Sequence, residues 1–357
     1  MLIKAHQSTL PDPDGPLLTS LDPQKLPRTR TEDRYDGTGT LTFWEAGIAF
    51  RHAGWKDDRS HVLNALERAA VPAARMDAFT HCGANAWVLR DATNPSNLRI
   101  SCDFCHDRFC RPCANARSHR AGCNLAKYLK DEPHRFLTLT LRSHEEPLKE
   151  LLDRLQKHFT RLRRTSLWRH AVAGGAAFLE ITYNADKKSW HPHLHCIVSG
   201  KFIKQSELAD LWHLITGDSC IVHIRLINNA AATVAYVTKY ASKPLSHTFL
   251  RDPDRLLEAV RALAGRKMIA CFGAWRAYKL TEAPEPGEWL PVLPLAAVLK
   301  GAAAGDAEML AILKSLNKEH RWHIAQTIPD PPDCALPSPS QSQFATVRPG
   351  ARSAAMS

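Results

Sequence analysis

Residues Phe136-Leu137-Thr138-Leu139-Thr140-Leu141 alternate apolar and polar side chains with period two, which predicts a strand with leucines on one face and threonines on the other. Over residues 146–165 the period lengthens. Leu148, Leu151, Leu152, Leu155, Phe159 and Leu162 form the apolar stripe of a helix, while Arg154, Lys157, Arg161 and Arg164 share another face. Ala177 to Tyr183 and His191 to Val198 read as strands flanking the polar turn Asn184-Ala185-Asp186-Lys187-Lys188-Ser189. Helical spacing returns over Gln205–Thr216, a strand pattern over Cys220–Leu226, and helical spacing again over Ala230–Lys243. The order strand, helix, hairpin, helix, strand, helix predicts an α+β domain with an antiparallel sheet and helices packed on it.

The flanks are less periodic. Residues 60–70 suit a short helix with Ser60 as N-cap and Val62, Leu63 and Leu66 on one side. Residues 295–325 suit a helix interrupted near Gly301 and Gly305. The expected divisions are a mobile arm over 1–60, a Cys-rich module over 61–130 and the α+β domain over 131–281. A helical C-terminal region over 282–328 and a disordered Pro/Ser-rich tail over 329–357 follow.

Composition narrows the partner. The chain has 357 residues, is 44% hydrophobic and carries a formal charge of +11. Residues 101–170 hold 15 Lys and Arg against 8 Asp and Glu, a basic excess that suits a polyanion such as nucleic acid. No run of 18 apolar residues occurs, so no membrane span is expected. The opening Met1-Leu2-Ile3-Lys4-Ala5-His6-Gln7 lacks the apolar core of a signal peptide, which points to a cytoplasmic protein. Ten cysteines in a reducing compartment favour metal binding over disulfides.

Three groups of residues carry chemistry. His191, His193 and His195 alternate along one strand and therefore share a face. If the hairpin turns between Asp186 and Lys187, Glu180 lies opposite His193 as a third ligand type, with His191 as the alternative. Two imidazoles and a carboxylate with open positions suit Mg²⁺ or Mn²⁺ polarising a phosphate, with zinc the chief competitor. Tyr236 and Tyr240 are i and i+4 on the last predicted helix, as are Lys239 and Lys243. A phenol assisted by a metal or a lysine can attack a phosphodiester. Cys102-x-x-Cys105 and Cys110-x-x-Cys113 have the knuckle spacing of a structural Zn²⁺ site. The four-residue gap between the pairs is short for a zinc ribbon, so Cys82 or Cys123 can replace one of the first pair. Arg108, Arg111, Arg117 and Arg120 flank this cluster and suit either a DNA-contacting module or one used for packing.

Together, a Phe-Leu-Thr-Leu-Thr strand, the His193-Leu194-His195 core and Tyr236-x-x-Lys239-Tyr240 resemble the HUH endonucleases, above all the rolling-circle replication initiators of small plasmids and single-stranded DNA phages. Cys105-His-Asp-Arg-Phe-Cys110-Arg-Pro-Cys113 resembles the cysteine motif upstream of the catalytic domain in plasmid initiators. The resemblance spans roughly residues 80–245. It implies an antiparallel-sheet HUH nicking-joining domain preceded by a small Cys-rich zinc module. It implies His193 and His195 as metal ligands, Tyr240 as principal nucleophile and Tyr236 as the second tyrosine of a two-tyrosine type. It further implies nicking of single-stranded or origin DNA through a 5′-phosphotyrosine, with 3′ extension by a host polymerase and dependence on a host helicase. An HUH transposase and a non-catalytic zinc-dependent DNA-binding regulator are the alternatives.

Overall fold

The computed structural model describes residues 43–129, 133–142, 145–227, 234, 247–282 and 287–318. The nucleophile candidates Tyr236 and Tyr240 and the lysines Lys239 and Lys243 lie outside the described residues, as do residues 1–42 and the tail from 319.

Five strands form the larger sheet: β3 (His134–Thr140), β4 (Val172–Asn184), β5 (Ser189–Gly200), β6 (Val222–Leu226) and β7 (Ile269–Gly273). Their order is β6-β3-β5-β4-β7, with every neighbouring pair antiparallel. The histidine strand β5 is thus the central one. Period-two patterning divides the faces as the sequence predicts. Leu137, Leu139, Ala177, Leu179, Leu194, Cys196 and Val198 are buried on one side. The stripe of α5 (Leu148–Arg164) and Leu208, Trp212 and Ile215 of α7 (Gln205–Thr216) join the same core. Trp212 also donates from Nε1 to the carbonyl of Thr140 at 3.0 Å, tying α7 to the end of β3.

The opposite face carries the histidines. At one end it is covered by α4 (Arg111–Tyr128), whose Ala121 and Leu125 pack with Leu129, Phe136, Ala176, Phe178, Ile197, Trp275 and Leu280. Val234, the one described residue between 227 and 247, is helical and buried in this cluster. Pro192 falls one residue beyond the pairing of β5 with β3, which ends at Thr140 and His193. There β5 has a partner on one side only, the position in a sheet that tolerates proline.

A second sheet has the order β2-β1-β8, built from β1 (Trp87–Asp91), β2 (Leu98–Ser101) and β8 (Trp289–Pro294). It corrects the sequence division. The region from 282 contributes a strand to the Cys-rich unit, and Leu295, Val298 and Leu316 pack with Val88 and Ile100. These come from α10 (Leu295–Ala303) and α11 (Ala307–Lys318), and Gly305 at φ 84° makes the expected break between them.

The expected arm over 1–60 also ends early. Helix α1 (Phe43–His52) buries Ala46, Arg51 and His52. A single 3₁₀ turn, Ala53–Trp55, passes directly into α2 (Lys56–Arg68). Ser60 is therefore inside α2 rather than its cap, and its hydroxyl donates to the Asp57 carbonyl at 2.6 Å. The N-cap position is taken by buried Trp55, which makes no side-chain cap.

α5 is held mainly by its apolar stripe, because its outward face is highly charged. Leu155→Ala, at a position 1% exposed, is expected to lower stability by about 2–5 kcal/mol, while exposed Gln156→Ala stays within about 0.5 kcal/mol. Chemical denaturation of the two variants beside the parent chain checks this.

Candidate functional site

The hairpin register decides what the histidines meet. Antiparallel pairing of β4 and β5 sets Phe178 opposite His195, Glu180 opposite His193 and Thr182 opposite His191. On the other side β3 sets Thr138 opposite His195 and Thr140 opposite His193. Directly opposed residues share a face, so the threonine face, Glu180 and the three histidines converge.

Each imidazole is fixed by its neighbour. Thr140 Oγ1 lies 3.1 Å from His193 Nδ1, and Thr138 Oγ1 lies 3.2 Å from His195 Nδ1. His195 Nε2 contacts Glu180 Oε2 at 2.8 Å, with both side chains largely buried. Phe136 stacks on His195 at a ring separation of 5.7 Å. Burial lowers the His193 pKa to about 4, outweighing the opposing pull of Glu180, with His195 and His191 adding to the depression. His193 is therefore neutral near pH 7 and keeps a lone pair for a cation. When its Nδ1 proton goes to Thr140, that lone pair is on Nε2. His191 is less involved: its ring lies 6.4 Å from that of His193, and its Nε2 is 3.5 Å from Ser189 Oγ.

His193, His195 and Glu180 are the side chains on this face that could ligate a divalent ion. The donor set is two borderline nitrogens and one hard oxygen, which suits Mg²⁺ or Mn²⁺ with water completing the shell, and also zinc. The hydroxyls behind the two rings supply the outer contacts that metal-binding histidines require. Their donor atoms are not drawn into a closed cluster. Glu180 and His195 satisfy each other directly.

A closed cluster exists elsewhere. The sulfurs of Cys82, Cys105, Cys110 and Cys113 all lie within 4.8 Å of one another. Cys82–Cys110, Cys82–Cys113 and Cys105–Cys113 are separated by 3.7, 3.6 and 3.6 Å. Four thiolates around zinc, each about 2.3 Å from the ion, would sit about 3.8 Å apart. Hydrogen bonds from Cys105 and Cys110 draw the Cys113 thiol down to about 7, and those from Cys105, Cys110 and Cys113 hold Cys82 far below the usual thiol range. Arg51 donates to Cys113 Sγ at 3.4 Å. Cys110 stands at the N-cap position of α4 without a side-chain cap, and burial pushes its thiol up, while Cys113 lies in the first turn, where the helix dipole favours a thiolate.

The expected fourth ligand, Cys102, is not in this set. It follows β2, and like Ile100 it turns into the core of the small sheet, where burial raises its pKa. Cys82 takes the place, one of the two replacements the short gap allowed. Its position depends on a close backbone approach. A Cβ on Gly47 would come 2.1 Å from the Gly83 carbonyl, and Gly83 itself has φ 105°. Trp55 Nε1 donates to His52 Nδ1 at 2.8 Å, which leaves His52 Nε2 to donate to the Cys82 carbonyl at 2.8 Å.

The basic stripe of α5 lies on the side of the sheet away from the histidines. Arg154 is 3.4 Å from Glu146 and 3.7 Å from Asp218, and Arg161 donates to the Ile215 carbonyl. Lys157 and Arg164 are exposed. The structure thus does not bring these four residues to the histidine face.

With this geometry in hand, known proteins place the chain. The sequence profile of a family described as replication protein matches residues 98–291, just over half of the chain. The chain belongs to the Rep family of rolling-circle replication initiators. It is 26% identical over 227 residues to Protein rep of Staphylococcus aureus, covering 58% of this chain and 96% of that protein. It is 27% identical over 208 residues to Protein rep of Lactiplantibacillus plantarum, covering 49% and 65%. Protein rep of a Bacillus species is 33% identical over 155 residues, covering 39% and 50%. The chain therefore spans half to two thirds of the length of these last two. No solved structure matches it.

The Rep match contains the histidine hairpin, Glu180 and three of the four clustered cysteines. It begins after Cys82 and α1, so the fourth sulfur comes from outside the span shared with the family. No helix among the described residues is long and apolar enough to cross a membrane.

Sequence reasoning overlooked Thr138 and Thr140 as partners of the rings. Their alternation was visible, but the pairing that faces them to His195 and His193 is tertiary.

One zinc per chain is expected by elemental analysis of the purified protein. Cys82→Ser and Cys113→Ser should lose it and Cys102→Ser should keep it; the reverse order would restore the sequence-derived set.

Proposed function

We propose that this Rep protein initiates plasmid replication by nicking one strand of its origin through tyrosine transesterification, and rejoins the strand at termination. The observation that carries this reading is the convergence of His193, His195 and Glu180 on one sheet face in a chain of the Rep family. Val234 supports it further. Buried in the cluster that includes Phe136 and Phe178, it is two residues before Tyr236.

In the first step the Tyr240 oxygen attacks the scissile phosphorus. The new Tyr–O–P bond forms as the bond from phosphorus to the 3′ oxygen breaks. The phenol proton is lost, and the leaving 3′ oxygen gains a proton as a hydroxyl primer. A Mg²⁺ or Mn²⁺ ion held by His193, His195 and Glu180 would polarise the phosphate. Lys239 and Lys243 offset the charge that develops there. The phosphotyrosine retains the energy of the broken diester, so religation needs no nucleotide. Tyr236 provides a second nucleophile for termination. A host polymerase would extend the primer and a host helicase would open the duplex.

His193 contributes by being neutral, and His195 and Glu180 by lying side by side on the imidazole face. The cysteine cluster holds the first turn of α4, whose later turns cover part of the same face. Zinc there would stiffen the wall of the site and take no part in bond changes.

Incubation with single-stranded origin DNA and Mn²⁺, resolved on a denaturing gel, tests the reading. A covalent protein–DNA band is expected for the parent chain, strongly reduced in Tyr240→Phe and absent in Tyr236→Phe/Tyr240→Phe. Origin binding with no band under any divalent ion would instead favour the binding-only regulator.

A further inference from the structure

Beside the histidine face, at the free edge of β7, lies an open cleft of about 660 Å³. Its walls come from four separate places: the cysteine knuckle (Arg108), α4 (Arg117), the turn before β7 (Lys267) and the segment after it (Arg276, Tyr278 and Lys279). Among the described residues that line it Glu282 is the one acidic side chain, and it pairs with Lys279 at 2.8 Å between exposed groups. Such exposed pairs are weak and readily exchanged.

Among the described residues the positive charge of the lining is only partly paired: Lys279 meets Glu282, Arg266 meets Asp153, and Arg108 Nη2 donates to the Arg266 carbonyl. Arg108 Nη1 is buried with no hydrogen-bond partner among the described residues. Arg108 and Arg120 have lowered pKa values, first through burial and then through repulsion by Arg117. Lys267, Arg276 and Lys279 are exposed. Like charges gathered from four chain segments repel one another, and an anion chain lying among them would remove that penalty.

One lining residue, Tyr278, belongs to an aromatic group. Tyr278 stacks on Tyr128 with ring centroids 3.8 Å apart and planes 8° from parallel, and Trp275 lies 5.4 Å from Tyr278. Tyr128 is 36% exposed and Lys127 beside it is exposed. Aromatic faces beside a line of cations suit unpaired bases on a phosphate backbone, whereas the stacked bases of a duplex cannot use the rings.

The floor lies on the same sheet face as the proposed site, with the buried Phe178 between them. Ile269 and Cys271 line the cleft. Ile269 is opposite Phe178, and Phe178 is opposite His195. The cleft floor and His195 therefore share one sheet face, two strand spacings apart, or about 10 Å.

We propose that this cleft is the track for single-stranded DNA, with phosphates on Lys267, Arg276, Lys279, Arg108 and Arg117 and a base stacked on the Tyr128–Tyr278 pair, delivering the strand to the histidine face. This rests on the reading of the protein as a DNA-nicking Rep protein and adds the surface that grips the strand.

The test uses the full chain, fluorescence anisotropy and a fluorescein-labelled oligothymidylate over a range of salt concentrations. Lys267→Ala/Arg276→Ala/Lys279→Ala should weaken binding at least tenfold. It should also reduce the slope of log affinity against log salt by about two, at roughly 0.7 for each phosphate left without its cation. Tyr278→Ala should weaken binding roughly fivefold or more with little change of slope, and Tyr278→Phe should retain it. Lys300→Ala/Lys314→Ala on the C-terminal helices serves as the charge control and should bind normally. Thermal melting of each variant separates a weakened DNA surface from a damaged fold.

Parent-like affinity and slope in a folded triple variant would overturn the proposal, as would a loss confined to Lys157→Ala/Arg164→Ala on α5. The covalent-adduct assay with saturating origin DNA separates the two levels. Cleft variants that bind weakly but still form adduct at saturation support the track. A parent chain that binds through the cleft without forming adduct keeps the track and removes the nicking reading.

Discussion

The register between β4 and β5 is the constraint from which the histidine face follows. Side chains alternate along a strand, so a slip of one residue would turn His193 and His195 toward α5 and bring Leu194 to the surface. The apolar face prevents it, because Leu194, Cys196 and Val198 are buried under α5 and α7. Two further contacts reinforce the same alignment. Tyr183 and Trp190 pair edge to face near the turn, 4.9 Å apart, and at the far end a Cβ on Gly175 would stand 2.2 Å from the Ile197 carbonyl. Hydrophobic packing on one face thus fixes polar geometry on the other.

The cysteine cluster and the histidine sheet are mechanically connected through α4. Cys110 stands at the N-cap of that helix and Cys113 in its first turn, and its later turns carry Ala121 and Leu125, which pack with Phe136, Phe178 and Ile197. Anything that loosens the sulfurs loosens the helix covering one end of the histidine face. Because Cys82 is held through Gly47, Gly83 and His52, α1 belongs to the same mechanical unit although it lies outside the span matched to the Rep family.

Legibility in the sequence followed the range of the interactions. Local periodicity located β3, α5, the hairpin and α7, and turn counting alone set Glu180 opposite His193. What depended on distant partners was not visible. The strand Trp289–Pro294 mixes prolines and leucines in irregular order and finds its place only by pairing with β1, about 200 residues earlier in the chain. Cys102 shares the knuckle spacing with Cys105, yet its position after β2 commits it to the core, while Cys82 comes from 20 residues upstream. The α5 stripe showed its charges but not which side of the sheet they occupy. The cleft at β7 draws on four segments and has no signature in any one of them.

In the proposed function the hairpin makes His193, His195 and Glu180 a single cation site. Titration of Mn²⁺ into the purified full chain, read by electron paramagnetic resonance with zinc content followed in parallel, tests it most directly. One bound Mn²⁺ per chain is expected, lost in His193→Ala and in Glu180→Ala with the zinc content of the parent retained. Unchanged Mn²⁺ binding in both variants, with the fold intact, would contradict it.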